Sequence, residues 1–140
     1  MLMTKNIDIL MIDDSEADVE LTTELIKESK CKHNIKALYD GDSAINYFKN
    51  NSKKPSVILL DINMPNKNGF EVLDYLKSDE DLRSIPVIML STSSNPDDIK
   101  LSYAKYANAY MTKPSSLSGF KKFITSFEEF WLKNVSLAAN

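Results

Sequence analysis

The chain has 140 residues, 43% of them hydrophobic and 26% charged, with a formal net charge of −3. That is the length of one domain with a core of useful size, and the acidic balance excludes a general nucleic-acid binder, which needs a basic face. No stretch reads as a membrane span or a cleaved signal, and the lone cysteine, Cys31, excludes an internal disulfide and fits a reducing cytoplasm.

Two periodicities alternate along the chain: short β-branched or leucine-rich runs, and longer segments with apolar residues three and four apart. The first run, Ile9 to Met11 within residues 7–12, ends in Ile12-Asp13-Asp14. Ser15 then caps a helix, with Asp18 in a capping-box-like position and Ala17, Leu21, Leu25 and Ile26 on one face. Cys31 reads as a small residue near that helix end, and His33, alone in a polar loop, as a solvated surface histidine. A second strand covers about residues 35–39, and a helix from about Asp42 buries Ala44, Ile45 and Phe48. The third strand, 57–61, is Val57-Ile58-Leu59-Leu60-Asp61; the helix beginning near Gly69 turns Phe70, Leu73 and Leu76 inward. The fourth strand, 87–91, ends in Ser91-Thr92. Asn95-Pro96-Asp97-Asp98 opens the next helix with a capping asparagine, an early proline and acids at the positive end of the helix dipole. The last strand, 109–112, carries Tyr110 and leads to Lys113-Pro114. In the final helix Phe120, Phe123, Ile124, Phe127 and Trp131 form a stripe whose plain role is core packing. The domain then spans residues 5–133, followed by a C-terminal tail at 134–140 of which Ser136–Asn140 is expected to fray.

Five strand–helix units with short loops make an α/β domain with a parallel sheet covered on both faces. In such open sheets the functional crevice lies beyond the C-terminal strand ends, where every polar tip falls. With strand order 2-1-3-4-5, the first and third strands are neighbours, and Asp13, Asp14 and Asp61 converge. Three adjacent carboxylates raise one another's pKa unless a cation joins them, and oxygen-only donors suit Mg²⁺ or Mn²⁺. Asp14 and Asp61 read as direct ligands, Asp13 as a direct or water-bridged one, and the Asn63 backbone carbonyl as a further oxygen. Asp61 is the nucleophile that accepts a phosphoryl group; Lys113 supplies an ammonium and Ser91 a hydroxyl for its oxygens. A cis bond to Pro114 would aim the amine at the site.

Taken in this order and spacing, Asp13-Asp14, Leu60-Asp61-Ile62-Asn63-Met64-Pro65 with Gly69, Ser91 and Lys113-Pro114 resemble the receiver domain of two-component response regulators, including the single-domain chemotaxis type. The resemblance implies a flavodoxin-like fold and Mg²⁺-dependent phosphotransfer to Asp61. The donor would be a phosphohistidine on a sensor kinase or a histidine phosphotransfer protein. It also implies a switch in which Ser91 moves toward the phosphoryl oxygens and Tyr110 rotates inward, altering a surface that includes Tyr103, Lys105 and Tyr106. Two departures stand out: Ser91 replaces the commoner threonine, and Thr92 replaces a small residue, its bulk narrowing access to Asp61. The aromatic end of the last helix, Phe130-Trp131, looks like that of the small regulators paired with bacterial phytochromes.

With no output domain attached, such a protein is expected to be a signalling protein rather than an enzyme, acting through a downstream protein, homodimerisation or onward phosphotransfer. Three rivals are weaker. A haloacid-dehalogenase-type phosphatase needs a second acid two residues after its nucleophile, where Asn63 stands and cannot shuttle a proton. A flavodoxin-like FMN protein needs a phosphate loop where Asp13-Asp14-Ser15-Glu16 would repel one. A receiver-like scaffold that never takes phosphate has no use for the full acid, hydroxyl and lysine set.

Overall fold

The computed structural model describes residues 7–28 and 33–138; Cys31, residues 5–6 and the last two residues of the tail lie outside them. The elements in chain order are β1 (Asp8–Ile12), α1 (Glu16–Lys27), β2 (Asn34–Leu38), α2 (Gly41–Asn50), β3 (Val57–Asp61), α3 (Gly69–Ser78), β4 (Val87–Ser91), α4 (Pro96–Ala104), β5 (Ala109–Thr112) and α5 (Leu117–Phe127). A π-helical segment, Glu128–Asn134, continues α5. The sheet is parallel throughout, with order β2-β1-β3-β4-β5. This is the flavodoxin-like arrangement that the chain's alternating periodicities and its resemblance had implied.

The strands sort their side chains by parity. Leu10, Ile12, Ile58, Leu60, Val87 and Met89 face α2 and α3, where Ala44, Phe48, Val72, Leu73 and Leu76 meet them. The alternate residues Ile9, Met11, Val57, Leu59, Ile88 and Leu90 face α1 and α5, against Val19, Ile26, Phe120, Phe123, Ile124 and Phe127. Every residue of β3 and β4 is buried, which is why those strands read as unbroken apolar runs. Each large side chain so placed contributes about 1.5–3 kcal/mol relative to exposure.

Four helices begin where the side-chain chemistry dictates, with Ser15, Asn68, Asn95 and Ser116 each accepting a backbone N–H of the first turn. The second helix starts at Gly41, one residue before the expected Asp42, with Asp40 as its cap. On α1 the buried residues are Val19, Thr22 and Ile26, while Ala17 is exposed and Leu21 and Leu25 are half-buried. The C-terminal stripe also shifts. Phe127 and Leu132 are buried five residues apart, whereas Trp131 is half-buried and Phe130 exposed. The wider π turn advances the inward position by one residue from the expected four-residue step. Val135 closes that turn by donating its N–H to the Phe130 carbonyl at 2.8 Å. Leu137, in the segment expected to fray, packs on the same cluster. His33, expected in solvent, has both ring nitrogens buried without a hydrogen-bond partner among the described residues. Burial holds its pKa below the ordinary value despite the charge of Glu128. No helix among the described residues is long and apolar enough to cross a membrane.

Candidate functional site

Register brings the acids together. Ile12 of β1 lies beside Leu60 of β3, so the residues that follow, Asp13 and Asp61, emerge from the sheet as neighbours. Carboxylate oxygens of Asp13, Asp14 and Asp61 all lie within 4.8 Å of one another. Asp13 and Asp61 are buried, and Asp14 is exposed at the rim. The Ser15 N–H donates to Asp13 Oδ1 at 2.9 Å and fixes that carboxylate at the mouth of α1. Behind Asp61 the chain turns through Asn66, at φ 65°, and returns so that Gly69 donates its N–H to the Ile62 carbonyl at 2.8 Å. A Cβ on Gly69 would stand 2.2 Å from the Asp61 carbonyl oxygen, so only glycine lets α3 start this close to the acid. Asn63 lies two residues beyond Asp61, in the exposed part of the same loop.

From the other side, β4 ends at Ser91, which is fully buried. Its carbonyl accepts the Lys113 N–H at 2.7 Å, tying the residue after β5 to the end of β4. The Lys113 side chain crosses from there toward β1. Its Nζ lies 2.5 Å from Asp13 Oδ2, 3.0 Å from Asp18 Oδ2 and 3.5 Å from Asp61 Oδ1. The Lys113–Pro114 bond is trans, so the amine reaches the acids without the cis isomer considered from sequence. Thr92 is exposed beside Ser91. The Ser91 Oγ accepts the Ser93 N–H at 3.0 Å, and the Ser93 carbonyl accepts the Tyr110 hydroxyl at 2.7 Å. The half-buried Tyr110 ring packs against the α2/α3 side of the core, and its backbone N–H donates to the Tyr103 Oη at 3.1 Å.

Three carboxylates therefore crowd one ammonium, and Asp14 lies beside two of them. Burial, reinforced by Asp13 and Asp14 and only partly offset by Lys113, pushes Asp61 up to about 7. Burial also raises Asp13, against the pull of Lys113 and the Ser15 N–H. For Lys113 burial acts downward, but Asp13, Asp61 and Asp18 outweigh it, so the amine stays charged. An excess of negative charge in a space bounded by hard oxygen donors is the setting a divalent cation relieves, and the donor set fits one. Sequence reasoning placed every member of this cluster except Asp18. That residue was read as half of a capping box, and its N–H does bond the Ser15 Oγ at 3.2 Å, but its carboxylate goes to Lys113. The available signal was its position in the first turn of the helix that begins just after Asp13.

A family model described as the response regulator receiver domain matches residues 9–125. Response regulator Rcp1 of Synechocystis sp. is 41% identical over 136 residues, covering 94% of this chain and 92% of that protein. The crystal structure of the Mn²⁺-bound form of Rcp1 superposes with a TM-score of 0.89 at 40% identity, covering 95% of this chain and 99% of that one. The structure of the phosphorylated cyanobacterial phytochrome response regulator RcpA superposes with a TM-score of 0.91 at 38% identity, covering 96% and 100%. An acid-lined crevice at the expected strand ends, together with these matches over nearly the whole chain, places the chain in the response regulator receiver family.

Proposed function

We propose that this chain is a signalling protein that accepts a phosphoryl group on Asp61. A carboxylate oxygen of Asp61 attacks phosphorus, the phosphorus–nitrogen bond of a donor phosphohistidine breaks, and the histidine nitrogen leaves as an acyl phosphate forms. The donor is a sensor histidine kinase, of phytochrome type by the likeness to RcpA, or a histidine phosphotransfer protein. Lys113 and Ser91 meet the transferred oxygens from the β4 and β5 side, with an ammonium and a neutral donor respectively. Asp13, Asp14, Asp61 and the Asn63 carbonyl would hold Mg²⁺, or Mn²⁺ in its place, and a bound ion would supply positive charge to offset that of the phosphoryl oxygens.

The output runs through the loop after β4. When the Ser91 hydroxyl turns to a phosphoryl oxygen, it draws on the Ser93 peptide, whose carbonyl anchors Tyr110. Packing of α4 on β5 then shifts, and a surface including the exposed Tyr103 and Tyr106 engages a downstream protein or a second copy of the chain. Such a protein works in the cytoplasm, where the kinase domain of its partner resides.

The observation that carries this reading is a nearly buried Asp61 that shares one pocket with two further acids and lies 3.5 Å from a buried ammonium. Incubation with acetyl phosphate or beryllofluoride, with and without Mg²⁺, tests it on wild type and Asp61→Asn. Wild type gains one phosphoryl group by mass only with the metal, and Asp61→Asn gains none. Labelling of the Asn variant, or repeated turnover of phosphomonoesters, would overturn it.

A further inference from the structure

We infer that Asp18 is a positioning residue for Lys113, and that its carboxylate competes with the phosphoryl group for the ammonium and so sets how tightly the site holds that group. The inference rests on the phosphoacceptor reading of Asp61.

An ammonium has three N–H donors, and two of them are committed at short range, to Asp13 Oδ2 at 2.5 Å and Asp18 Oδ2 at 3.0 Å. Asp61 Oδ1, at 3.5 Å, is the most distant of the three acceptors. The amine is thus held toward the α1 side of the crevice, and a phosphoryl oxygen on Asp61 has to draw it back. Asp13 and Asp61 belong to the cluster whose oxygens converge on a cation site, and Asp18 does not. Among the described residues it is the one acidic partner of Lys113 outside that cluster. Its main chain is well fixed, with the N–H on Ser15 Oγ at 3.2 Å and the carbonyl accepting the Thr22 hydroxyl at 2.7 Å. Its side chain stays about one-third exposed (33%), so substitution there opens no core cavity.

Two effects act in the same direction. Removing the Asp18 charge loosens the hold on an N–H of Lys113 and removes a negative charge near the incoming anion. Both favour a phosphoryl group or its mimic. Loss of that charge does nothing to favour a cation, so the two ligands of the site separate in their response.

The test is calorimetric titration of beryllofluoride into Mg²⁺-saturated wild type, Asp18→Asn, Asp18→Ala and Asp18→Glu, with a Mg²⁺ titration of each. The Asn and Ala variants are expected to bind beryllofluoride more tightly, roughly three- to ten-fold for one nearby charge at the rim of a site. Their Mg²⁺ affinity is expected to be unchanged or lower, and Asp18→Glu to return to the wild-type value. A residue that only braces the structure would weaken both ligands together when replaced, and that result overturns the inference. Equal beryllofluoride affinity across the four proteins overturns it too, while leaving the phosphoacceptor reading in place. Failure of wild type to bind beryllofluoride at all overturns both.

Discussion

Asp61→Asn is expected to make the metal-free protein more stable, increasingly so as pH rises. Asp61 is only 5% exposed, and its pKa moves from 3.8 to about 7, so the folded state holds a proton that the unfolded state has already released. Between about pH 4 and pH 7 the folded form binds more protons, so stability falls as pH rises, and the full penalty is present above pH 7. About three pKa units at 1.36 kcal/mol each gives a ceiling of about 4 kcal/mol. Because Asp13 and Asp14 share the repulsion and relax when it is removed, a measured gain of about 2–4 kcal/mol at pH 8 is expected, falling below about 2 kcal/mol at pH 5. The attraction to Lys113 is already contained in the shift, so its loss in the variant needs no separate subtraction. Urea unfolding of both proteins in chelator at pH 5 and pH 8 supplies the comparison, repeated with Mg²⁺. The ion should stabilise wild type more than the variant and narrow the gap. An Asn variant no more stable than wild type at pH 8 in chelator would refute the argument that burial and like charge dominate this pocket.

Three other outcomes follow from the geometry. Gly69→Ala drives a methyl into the Asp61 carbonyl, which the start of α3 cannot yield without moving the acid; a loss of about 2–4 kcal/mol in urea unfolding and slower labelling by acetyl phosphate are expected. Thr92→Ala removes a β-branched side chain from the exposed edge of the crevice, and the phosphoryl group on Asp61 should then hydrolyse faster; equal lifetimes by phosphoprotein decay would dismiss a shielding role. Phe127→Ala leaves a large void between α5 and the sheet, where Phe127 is 1% exposed, and should cost about 3–5 kcal/mol in the same unfolding assay.

Most of the fold is legible because the central strands are buried on both faces. Such strands do not carry polar residues before their last position, so the first acid or hydroxyl after each apolar run marks both a strand end and a crevice residue. Asp13, Asp61 and Ser91 announce themselves in this way, and Lys113 does so one residue past β5. The signal weakens where a residue's local role is sufficient to explain it. Asp18 satisfies the grammar of a helix start, and nothing in its neighbours tells that a lysine 95 positions away will claim its carboxylate. His33 looks solvated because its sequence neighbours are polar, while the charges that act on it, Glu128 and Lys133, come from the far end of the chain. The π turn after Phe127 is invisible to a pattern built on 3.6 residues per turn, and it exchanges Trp131 for Leu132 in the core.

The same asymmetry explains why the site can be read from sequence while its regulation cannot. A pocket that crowds three carboxylates against one amine, with a fourth beside them, costs the fold stability, and on the proposed reading an arriving cation and anion use that charge. Residue types alone reveal that imbalance, since no packing argument calls for acids at buried strand ends. How the imbalance is apportioned depends instead on distances of half an ångström: 3.0 Å from Lys113 to Asp18 against 3.5 Å to Asp61. On the proposed reading, that difference decides how firmly a phosphoryl oxygen recruits the amine. On the same reading, the adjoining contacts from Ser91 through Ser93 to Tyr110 set how far the change travels. Chains with the same acids, hydroxyl and lysine can therefore share one chemistry and differ widely in how long they hold a signal, because the tuning groups lie beside the motif and outside it.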